Sequence, residues 1–518
     1  GGPDPVRLRR MVHAQVHRGP DAAGFAFSGP AALGMRRLAI NDVAGGRQPH
    51  ADESGRILAV CNGEIYNAPA LRARLRSRGH VLASGSDTEV IPHLYEEHGA
   101  DFVRHLEGMY AIALWDRAAG RLLLARDPFG IKPLYWGVTD GTLAFASELA
   151  PLLADRGGDW RVDRDALRRY LLWEYVPAPE TIAEGIRKVP PGSLVLADRS
   201  GVRTRRHWEI PLPGPGGRAP REEDAEALRG MLLDAVRRHL LSDVPLGVFL
   251  SGGIDSTSVA ALMREAGVSP LRTFSIGFEE GSFDESAYAQ AAAEHLGSRH
   301  HHAVFTATEA LAGVARLGAL LDEPLADPSI LPTHFLSRLA RRHVTVALGG
   351  DGADELFAGY PTYRAMRWAA RIGRFPLWSR RAAAWAAGCL PVSHRNFSFE
   401  FRLKRFLRGA LEPDPVSRMT AWMSPLSLLG DAGGLVDGPP AGPFPEEGAP
   451  LLPRDLDPVD QALLLNLRTY LPGDILAKVD RASMACSLEV RVPFLDRRLA
   501  EHVCRLPLGW KLRRGRTK

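Results

Sequence analysis

Short apolar runs bounded by turn residues recur over residues 1–205, and they predict β-strands. The segments YAIALWD and RLLLARD carry apolar residues at consecutive positions rather than at alternate ones. A strand that is apolar on both faces is usually covered on both faces. A segment with helical spacing, LRARLRSRG, interrupts the strands. The pattern therefore predicts an α+β domain of layered antiparallel sheets with helices.

Beyond residue 222 the pattern changes to short β-branched strands that alternate with helices. The predicted strands lie in VPLGVFL, LRTFSIGF and RRHVTVALGG, and segments with helical apolar spacing separate them. This alternation predicts an α/β domain with a parallel, doubly wound sheet, in which ligands bind outside the carboxyl ends of the strands. From about Tyr363 the strand pattern fades, so we predict a mainly helical C-terminal part.

The Pro/Gly-rich segment PLPGPGGRAP separates the two patterns and has little to bury. The chain has 518 residues, which is too long for a single hydrophobic core. We therefore predict one domain over residues 1–205, a linker over residues 206–222 and a second domain over residues 223–518.

The composition excludes several classes of protein. Lys and Arg number 65 against 60 Asp and Glu, a small excess that does not predict nucleic-acid binding. No apolar run reaches the length of a membrane span, and the N-terminus lacks the apolar segment of a secretion signal. The four cysteines show no CxxC spacing. We expect a cytoplasmic, reduced protein without a membrane or nucleic-acid partner.

A glycine turn in GVFLSGGIDSTS is the first candidate for chemistry. Ser251, Gly252 and Gly253 follow a predicted strand directly, and a helix pattern begins at Ile254. Backbone N–H groups in such a turn, together with a helix N-terminus, form a site for phosphate or pyrophosphate. The Walker lysine is missing, and a turn with no ligand is the alternative interpretation.

A second glycine turn after a predicted strand lies in ALGGDGADELFAGY. Gly349, Gly350 and Gly352 loosen the backbone, and three carboxylates, those of Asp351, Asp354 and Glu355, add negative charge. Asp255 and Ser256 in the first turn supply a carboxylate and a hydroxyl. Carboxylates gathered beside a phosphate site suit Mg²⁺, although a solvated acidic loop is also possible.

These motifs resemble a known family. SGGIDS resembles the pyrophosphate loop of the ATP pyrophosphatases, and LGGDGADE with SLEVRVPFLD resembles the synthetase domain of the glutamine-hydrolysing asparagine synthetases. The resemblance implies ATP and Mg²⁺ as cofactors. It implies an ATP site at Leu250, Ser251, Gly252, Gly253, Asp255, Ser256, Ile276, Gly349 and Gly350, metal ligands Asp255 and Asp354, and an acceptor site with Asp327, Ser329 and Asp351.

The N-terminal motifs HRGPDAAG, CNGEIYN, GSDTEV and ARDPFGIKPLYW resemble, in order, a class II, Ntn-type glutamine amidotransferase domain. Asn62 and Gly63 offer an amide and a backbone N–H for an oxyanion hole. Glu64 and Asp87 suit the α-ammonium group of glutamine, and Arg37 suits its α-carboxylate. Taken singly, each residue is more often a turn residue or a surface charge.

The resemblance also implies a nucleophilic cysteine at the N-terminus, with the chain's own amino group as its base. The sequence starts at Gly1, and we expect this cysteine upstream of it; an inactive glutaminase half is the alternative. Cys61 lies in a predicted strand and is interpreted as a structural thiol. A lysine that stabilises the acyl-adenylate is similarly expected beyond Lys518, and this role is not assigned to Lys478.

The block YLPGDILAKVDRASMACSLEVRVPFLD has two interpretations. Asp474, Lys478, Asp480 and Arg481 lie at helical spacing, on a helix that either lines the synthetase site or is packed through its polar groups. Glu489 and Arg491 are predicted to form internal polar contacts.

The motifs together predict a two-site enzyme. ATP would adenylate a carboxylate, by default aspartate, and ammonia from glutamine would attack it to give an amide, here asparagine, with AMP and pyrophosphate. Another carboxylate, as in the β-lactam-forming synthetases, remains an alternative, as does a non-catalytic protein that binds glutamine or nucleotide. A nucleic-acid-modifying enzyme is disfavoured. The resemblance also implies a homodimer.

Overall fold

The computed structural model describes residues 3–157, 159–214, 220–392, 398–424, 442–445 and 452–512. Its strands are β1 Ala22–Ser28, β2 Ala31–Arg37, β3 His50–Ala51, β4 Ile57–Ile65, β5 Gly108–Asp116, β6 Arg121–Arg126, β7 Tyr135–Thr139, β8 Thr142–Ala146, β9 Ile186–Lys188, β10 Ser193–Asp198, β11 Gly201–Arg206, β12 Leu246–Phe249, β13 Arg272–Phe278, β14 Arg299–Phe305, β15 Val346–Leu348 and β16 Glu489–Arg491.

The helices alternate with these strands and then dominate the C-terminal part. They are α1 Pro5–His13, α2 Ala68–Ser77, α3 Val90–His98, α4 Leu149–Asp155, α5 Arg164–Trp173, α6 Glu222–His239, α7 Ile254–Glu265, α8 Ser286–Leu296, α9 Ala307–Val314, α10 Leu317–Leu320, α11 Ile330–Arg341, α12 Ala353–Leu356, α13 Pro361–Ile372, α14 Leu377–Gly388, α15 Phe399–Leu411, α16 Pro415–Met423, α17 Pro458–Leu465, α18 Leu476–Met484, α19 Arg497–Arg505 and α20 Leu508–Lys511. A π-helical segment, Asn466–Ile475, joins α17 to α18. Within the described ranges, every helix falls short of the length and apolar character that a membrane crossing requires.

An antiparallel sheet of six strands, in the order β11-β10-β6-β5-β4-β3, organises the N-terminal half. In β5, Tyr110 and Ile112 pack into a core with residues of α2 and α3. The alternate residues Ala113 and Trp115 pack into a second core on the opposite face. The prediction of a sheet covered on both faces is confirmed, because consecutive apolar residues of one strand supply two cores.

The C-terminal half contains the predicted parallel sheet, with five strands in the order β14-β13-β12-β15-β16. The part of the chain beyond Tyr363 is mainly helical, as predicted, and it also supplies the strand β16, which pairs with β15. Glu489 and Arg491 in β16 are charged yet buried, because they pair with each other. A three-residue strand with two charged residues carries no local apolar pattern, so β16 could not be predicted from the sequence.

The two halves share a continuous core. Ile40, Phe129 and Trp208 of the N-terminal half lie in the same buried apolar cluster as Leu471 and Phe494. Polar contacts cross the same boundary, since both Nη atoms of Arg18 donate to the Asp480 carboxylate at 2.8 and 2.9 Å. These contacts place α18 against the N-terminal half.

Candidate active sites

A cavity of about 1100 Å³ lies beside β4 in the N-terminal half. All the residues predicted to bind glutamine line it, namely Arg37, Asn62, Gly63, Glu64 and Asp87. Met484 and Glu489 from the C-terminal half line it too. The wall of this cavity is therefore built by both halves of the chain.

Gly63 has a backbone that other residues cannot adopt without strain. Its φ is +138°, and a Cβ atom there would lie 1.9 Å from the carbonyl oxygen of Met109 on β5. The close approach keeps β4 and β5 paired at this point. Next to it, the Asn62 side-chain amide donates to Ser147 Oγ at 3.1 Å. Strand pairing thus positions the two residues predicted for the oxyanion hole.

Arg37 organises the loop beside the cavity. Its guanidinium donates to the carbonyl oxygens of Asn41 and Asp42 at 2.8 Å and of Val43 at 3.2 Å. Burial lowers the pKa of Arg37, against the attraction of nearby carboxylates that include Asp42. A guanidinium has more N–H donors than these three bonds use, so Arg37 can hold the loop and a ligand carboxylate together.

Glu64 and Asp87 place two buried carboxyl groups in the cavity. Burial raises the pKa of Glu64 well above its ordinary value, and the charge of Asp87 adds to the shift. Burial also raises the pKa of Asp87, although Asp87 Oδ2 accepts the Ile65 N–H at 2.7 Å. The Asn41 amide donates to Glu64, and Arg491 Nη2 lies 3.4 Å from Glu64 Oε2. A bound ammonium group would offset the repulsion between these carboxyl groups.

Cys61 is a buried residue of β4, as predicted. Burial, reinforced by Asp87 and Glu64, raises the pKa of its thiol well above the ordinary value. A thiol that stays protonated at neutral pH is a poor nucleophile, so Cys61 is a structural residue.

A second cavity, of about 470 Å³, lies at the carboxyl ends of the parallel strands. The predicted residues that line it are Leu250, Ser251, Asp255, Ser256, Ile276, Gly349, Gly350, Asp351 and Asp354. Gly252 and Gly253 belong to the same turn but do not line the cavity, and neither do Asp327 and Ser329. The structure therefore brings together most of the predicted ATP and metal residues, which come from two turns about 100 residues apart.

The two glycine turns approach each other closely because β12 and β15 are neighbours in the sheet. A Cβ atom on Gly350 would lie 3.1 Å from Asp255 Cβ and 3.2 Å from Ser256 N. Gly252 has a φ of +81°, and a Cβ atom there would lie 2.5 Å from the carbonyl carbon of Tyr288. Glycine is needed at Gly252, where φ is positive and a Cβ atom would collide with the backbone of α8, whereas a Cβ atom at Gly350 would require the two turns to shift by a few tenths of an ångström.

Hydroxyl groups keep the first turn in shape. Ser251 Oγ lies 3.0 Å from Ser256 Oγ, and the Gly253 N–H donates to Ser251 Oγ at 3.3 Å. Gly253 then caps α7, whose first turn contains Asp255. The turn thus places a helix N-terminus, with its partial positive charge, at the cavity.

Five acidic residues line this cavity, namely Asp255, Glu285, Asp351, Asp354 and Glu355. Burial raises the pKa of Asp351, and the charges of Asp354 and Asp255 add to the shift, while Lys478 opposes it. Burial likewise raises the pKa of Glu355 to about 7, although the Tyr360 hydroxyl donates to it at 2.7 Å. Carboxylate oxygens are the ligands that Mg²⁺ prefers. A bound cation would also offset the repulsion between these carboxyl groups.

Lys478 links this cavity to the predicted acceptor residues. It lines the cavity, and its Nζ lies 2.8 Å from Asp327 Oδ2. Asp327 Oδ1 in turn accepts both the N–H and the hydroxyl of Ser329, at 2.8 and 2.7 Å. Burial and then the charge of Asp327 raise the pKa of Asp474 to about 8. Asp327 and Ser329 therefore do not line the cavity themselves but are connected to it through Lys478.

Some lining residues were not among the predicted site residues. Tyr360 follows Asp354 closely in the sequence, and its proximity to that motif was the available signal, whereas Glu355 was already noted as the third carboxylate of the motif. Lys478 was noted only as part of a polar helix. No spacing rule relates it to the glycine turns, because the packing of α18 against the sheet brings it there.

Comparisons with known proteins identify the family. A family model described as asparagine synthase matches residues 227–518, and one described as a glutamine amidotransferase domain matches residues 3–208. The chain belongs to the asparagine synthase family.

Curated relatives extend over almost the whole chain. A protein of Mycobacterium tuberculosis named "Putative asparagine synthetase (glutamine-hydrolyzing)" is 38% identical, over 99% of this chain and 80% of its own length. The asparagine synthetase (glutamine-hydrolyzing) 1 of Bacillus subtilis is 34% identical, over 99% of this chain and 79% of its own. Amidase chry2 of Gibberella zeae is 32% identical, over 98% of this chain and 79% of its own.

Membership of the asparagine synthase family makes this chain an ATP-dependent carbon–nitrogen ligase with a glutamine amidotransferase domain. In this family member the polar block at the end of the chain serves two purposes. Lys478 lines the ATP-side cavity, whereas Asp480 pairs with Arg18 and Arg481 pairs with Glu148. The block therefore contains one residue that lines the synthetase cavity, Lys478, and two that pack through polar contacts, Asp480 and Arg481.

Replacing Gly63 with Ala tests the strand geometry of the first cavity. We expect glutamine-dependent amide formation by the full-length protein to fall at least about tenfold, because the new Cβ forces β4 away from β5. Ammonia-dependent formation should stay within about twofold of wild type, since ammonia bypasses glutamine hydrolysis. Product is measured by chromatography with each nitrogen donor.

Gly55→Ala is the matched control. Gly55 also has a positive φ, +66°, but no atom of the described residues lies within 4 Å of its added Cβ. Equal losses in the two variants, or equal losses with both nitrogen donors, would contradict the role given to the Gly63 contact.

Proposed function

We propose that this chain activates a carboxylate with ATP and joins it to ammonia released from glutamine. Glutamine hydrolysis is assigned to residues 1–205, and the ATP-dependent synthesis to residues 223–518, with residues 206–222 as linker. The observation that carries the proposal is the second cavity, in which two glycine turns, a helix N-terminus, five acidic residues and Lys478 face one space. This arrangement suits a nucleoside triphosphate and its cation.

In the ATP site, the turn 251–253 and the N-terminus of α7 would hold the pyrophosphate. Leu250 and Ile276 would border the nucleotide, since both line the cavity at strand ends. Asp255 and Asp354 would hold Mg²⁺, with Asp351 beside them. Mg²⁺, when bound, would neutralise phosphate charge. A carboxylate is a poor electrophile, so its adenylation, with pyrophosphate as the leaving group, is the step that makes amide formation possible.

In the glutamine site, Arg37 would hold the α-carboxylate, and Glu64 with Asp87 would hold the α-ammonium group. The Asn62 amide and the Gly63 N–H would stabilise the oxyanion that forms when a thiol attacks the side-chain amide. By resemblance to the family, that thiol belongs to a cysteine at the N-terminus of the full-length protein. Hydrolysis releases glutamate and ammonia.

Helix α18 offers a direct connection between the two sites. Lys478 near its start lines the ATP-side cavity, and Met484 at its end lines the glutamine-side cavity. Six residues of α-helix span about 9 Å. We therefore propose that ammonia passes along α18, inside the protein, to the activated carboxylate.

Aspartate is the proposed acceptor, with asparagine as product. Lys478 would attract its carboxylates, and Asp327 with Ser329 would accept hydrogen bonds from its α-ammonium group. The curated asparagine synthetases at 34–38% identity support this choice.

A second candidate is a different carboxylate, one that carries less negative charge than aspartate. Asp474 and Glu174 lie near Asp327. Burial is the main cause that raises the pKa of each of these two carboxyl groups, and the negative charge of Asp327 is the second. An acidic surrounding disfavours a substrate with two carboxylates. The fungal relative named amidase chry2 also shows that members of similar sequence carry other names.

Pyrophosphate release with a panel of acids tests both candidates. The full-length protein is given ATP, Mg²⁺ and either aspartate, glutamate, β-alanine or an amino-acid amide. Aspartate-dependent release with asparagine as product supports the first candidate. Release with another acid and none with aspartate supports the second. If no acid stimulates release, and ATP does not bind by calorimetry, the ATP site itself is wrongly assigned.

A further inference from the structure

Four metal-ligating side chains meet on the N-terminal half, outside both cavities. Glu53 lies in the turn between β3 and β4, His80 follows α2, and His93 and Glu96 lie one helical turn apart on α3. One donor atom from each side chain lies within 4.8 Å of the others. None of the four lines either cavity. We call them the His80–His93 cluster.

His93 is the buried member of the cluster, with 1% of its surface exposed. Neither of its ring nitrogens makes a hydrogen bond to any described residue, although Nδ1 lies 3.2 Å from Glu53 Oε2. An imidazole buried without hydrogen bonds costs free energy that a ligand can recover. The burial of His93 is thus an independent indication that something binds to its ring.

The spacing of the donor atoms suits a small cation. His80 Nδ1 lies 3.1 Å from Glu53 Oε1 and 3.7 Å from Glu96 Oε2, and His93 Nδ1 lies 3.2 Å from Glu53 Oε2. Ligands about 2.0–2.1 Å from a tetrahedral ion stand about 3.3–3.4 Å apart. The 3.1 Å from His80 Nδ1 to Glu53 Oε1 is close to such an edge, and the 3.7 Å from His80 Nδ1 to Glu96 Oε2 is longer. The His93 distance is to the other oxygen of Glu53, so small side-chain movements within the 4.8 Å cluster would complete the coordination.

Neighbouring groups already orient two of the ligands. His80 Nε2, on the far side of its ring, lies 3.5 Å from Glu97 Oε1. A carboxylate in that position directs the other ring nitrogen towards a metal. Glu53 Oε1 also accepts the Val81 N–H at 2.8 Å. These contacts hold the donor atoms of His80 and Glu53 towards the cluster.

We propose that the His80–His93 cluster is a structural zinc site. Two imidazoles and two carboxylates suit Zn²⁺, whereas Mg²⁺ and Ca²⁺ prefer oxygen ligands alone. The ion would tie the β3–β4 turn and the segment after α2 to α3. Because Asp87 precedes α3 closely, the zinc site would also stiffen the segment that carries this residue of the glutamine cavity.

Zinc binding by the full-length protein tests the proposal. Chelator-treated protein is titrated with Zn²⁺ in a calorimeter, and we expect one equivalent bound at a Kd of about 1 μM or tighter. Thermal unfolding should shift upwards by about 3 °C or more when Zn²⁺ is added. X-ray absorption at the zinc edge should show two imidazole ligands.

His80→Gln and Glu96→Gln are suitable variants because both side chains are partly exposed and can be replaced without opening the core. Each should weaken zinc binding at least tenfold and abolish the thermal shift. His295→Gln, an exposed histidine on α8, should change neither. Equal zinc binding by all the proteins would show adventitious binding elsewhere and overturn the proposal, as would absence of binding to the wild type.

Discussion

Replacing Asp255 with Asn should lower ATP–pyrophosphate exchange by about 10³-fold, which corresponds to about 4 kcal/mol of transition-state stabilisation. The substitution keeps the shape of the side chain but removes one of the five carboxyl groups that line the cavity. The repulsion that makes a cation favourable there decreases, so the Mg²⁺ concentration needed for half-maximal exchange should rise as well. Exchange is measured with labelled pyrophosphate and the acid that the panel identifies.

Glu265→Gln is the control, because Glu265 is the last residue of the same helix, α7, and pairs with Arg229 at the surface. It should leave exchange within about twofold of wild type. Thermal unfolding of both variants shows whether the fold is kept. Exchange by Asp255→Asn within threefold of wild type, in a folded protein, would remove Asp255 from the metal site.

Replacing Arg491 with Met should lower the free energy of unfolding by about 3–5 kcal/mol. Arg491 is fully buried, and its Nε donates to Glu489 Oε1 at 2.8 Å while Nη1 donates to the carbonyl oxygens of His239 and Leu241. Methionine would fill most of the space but leave the buried carboxyl groups of Glu489 and Glu64 without this cation. Urea denaturation followed by fluorescence measures the loss.

Arg229→Met is the matched control for Arg491→Met. Its partner is Glu265, and about half of the Arg229 side chain is exposed. An exposed pair of this kind contributes about 0.5 kcal/mol or less. A double variant, Arg491→Met with Glu489→Gln, should recover part of the loss. Equal destabilisation by the two arginine substitutions would contradict a special role for the buried pair.

Arg491 also connects stability to the glutamine cavity. Glu489 and Arg491 were each predicted to form internal polar contacts, and the 2.8 Å hydrogen bond from Arg491 Nε to Glu489 Oε1 is such a contact. Glu64 was predicted to bind glutamine, and the structure adds that Arg491 Nη2 of the other half lies 3.4 Å from Glu64 Oε2. The same carboxyl group therefore lies at the boundary between the halves and in the cavity wall.

Features that depend on neighbouring residues could be predicted from the sequence. The consecutive apolar residues of β5 predicted its burial on both faces, since side chains of a strand alternate between faces. The alternation of strands and helices predicted the parallel sheet. In a parallel sheet the carboxyl ends of neighbouring strands lie at one edge, so the turns at 251–253 and 349–352 could be expected at one site.

Features that depend on the packing of distant segments could not be predicted from the sequence. Strand β16 has three residues and no apolar pattern, and it forms because β15 offers it an edge and Arg491 neutralises its charge. Lys478 reaches the ATP-side cavity through the position of α18. The His80–His93 cluster draws on the β3–β4 turn, the segment after α2 and α3, with no metal-binding spacing among them.

The amino-acid sequence alone was sufficient for the two-part architecture, the residues of the two glycine turns and the family resemblance, because each is written in short motifs and local periodicity. The folded chain was needed to show that one helix, α18, borders both cavities and that Asp327 and Ser329 are connected to the second cavity through Lys478. The physical reason is that side-chain burial and cross-chain distances arise when helices pack against sheets, and sequence separation does not encode them.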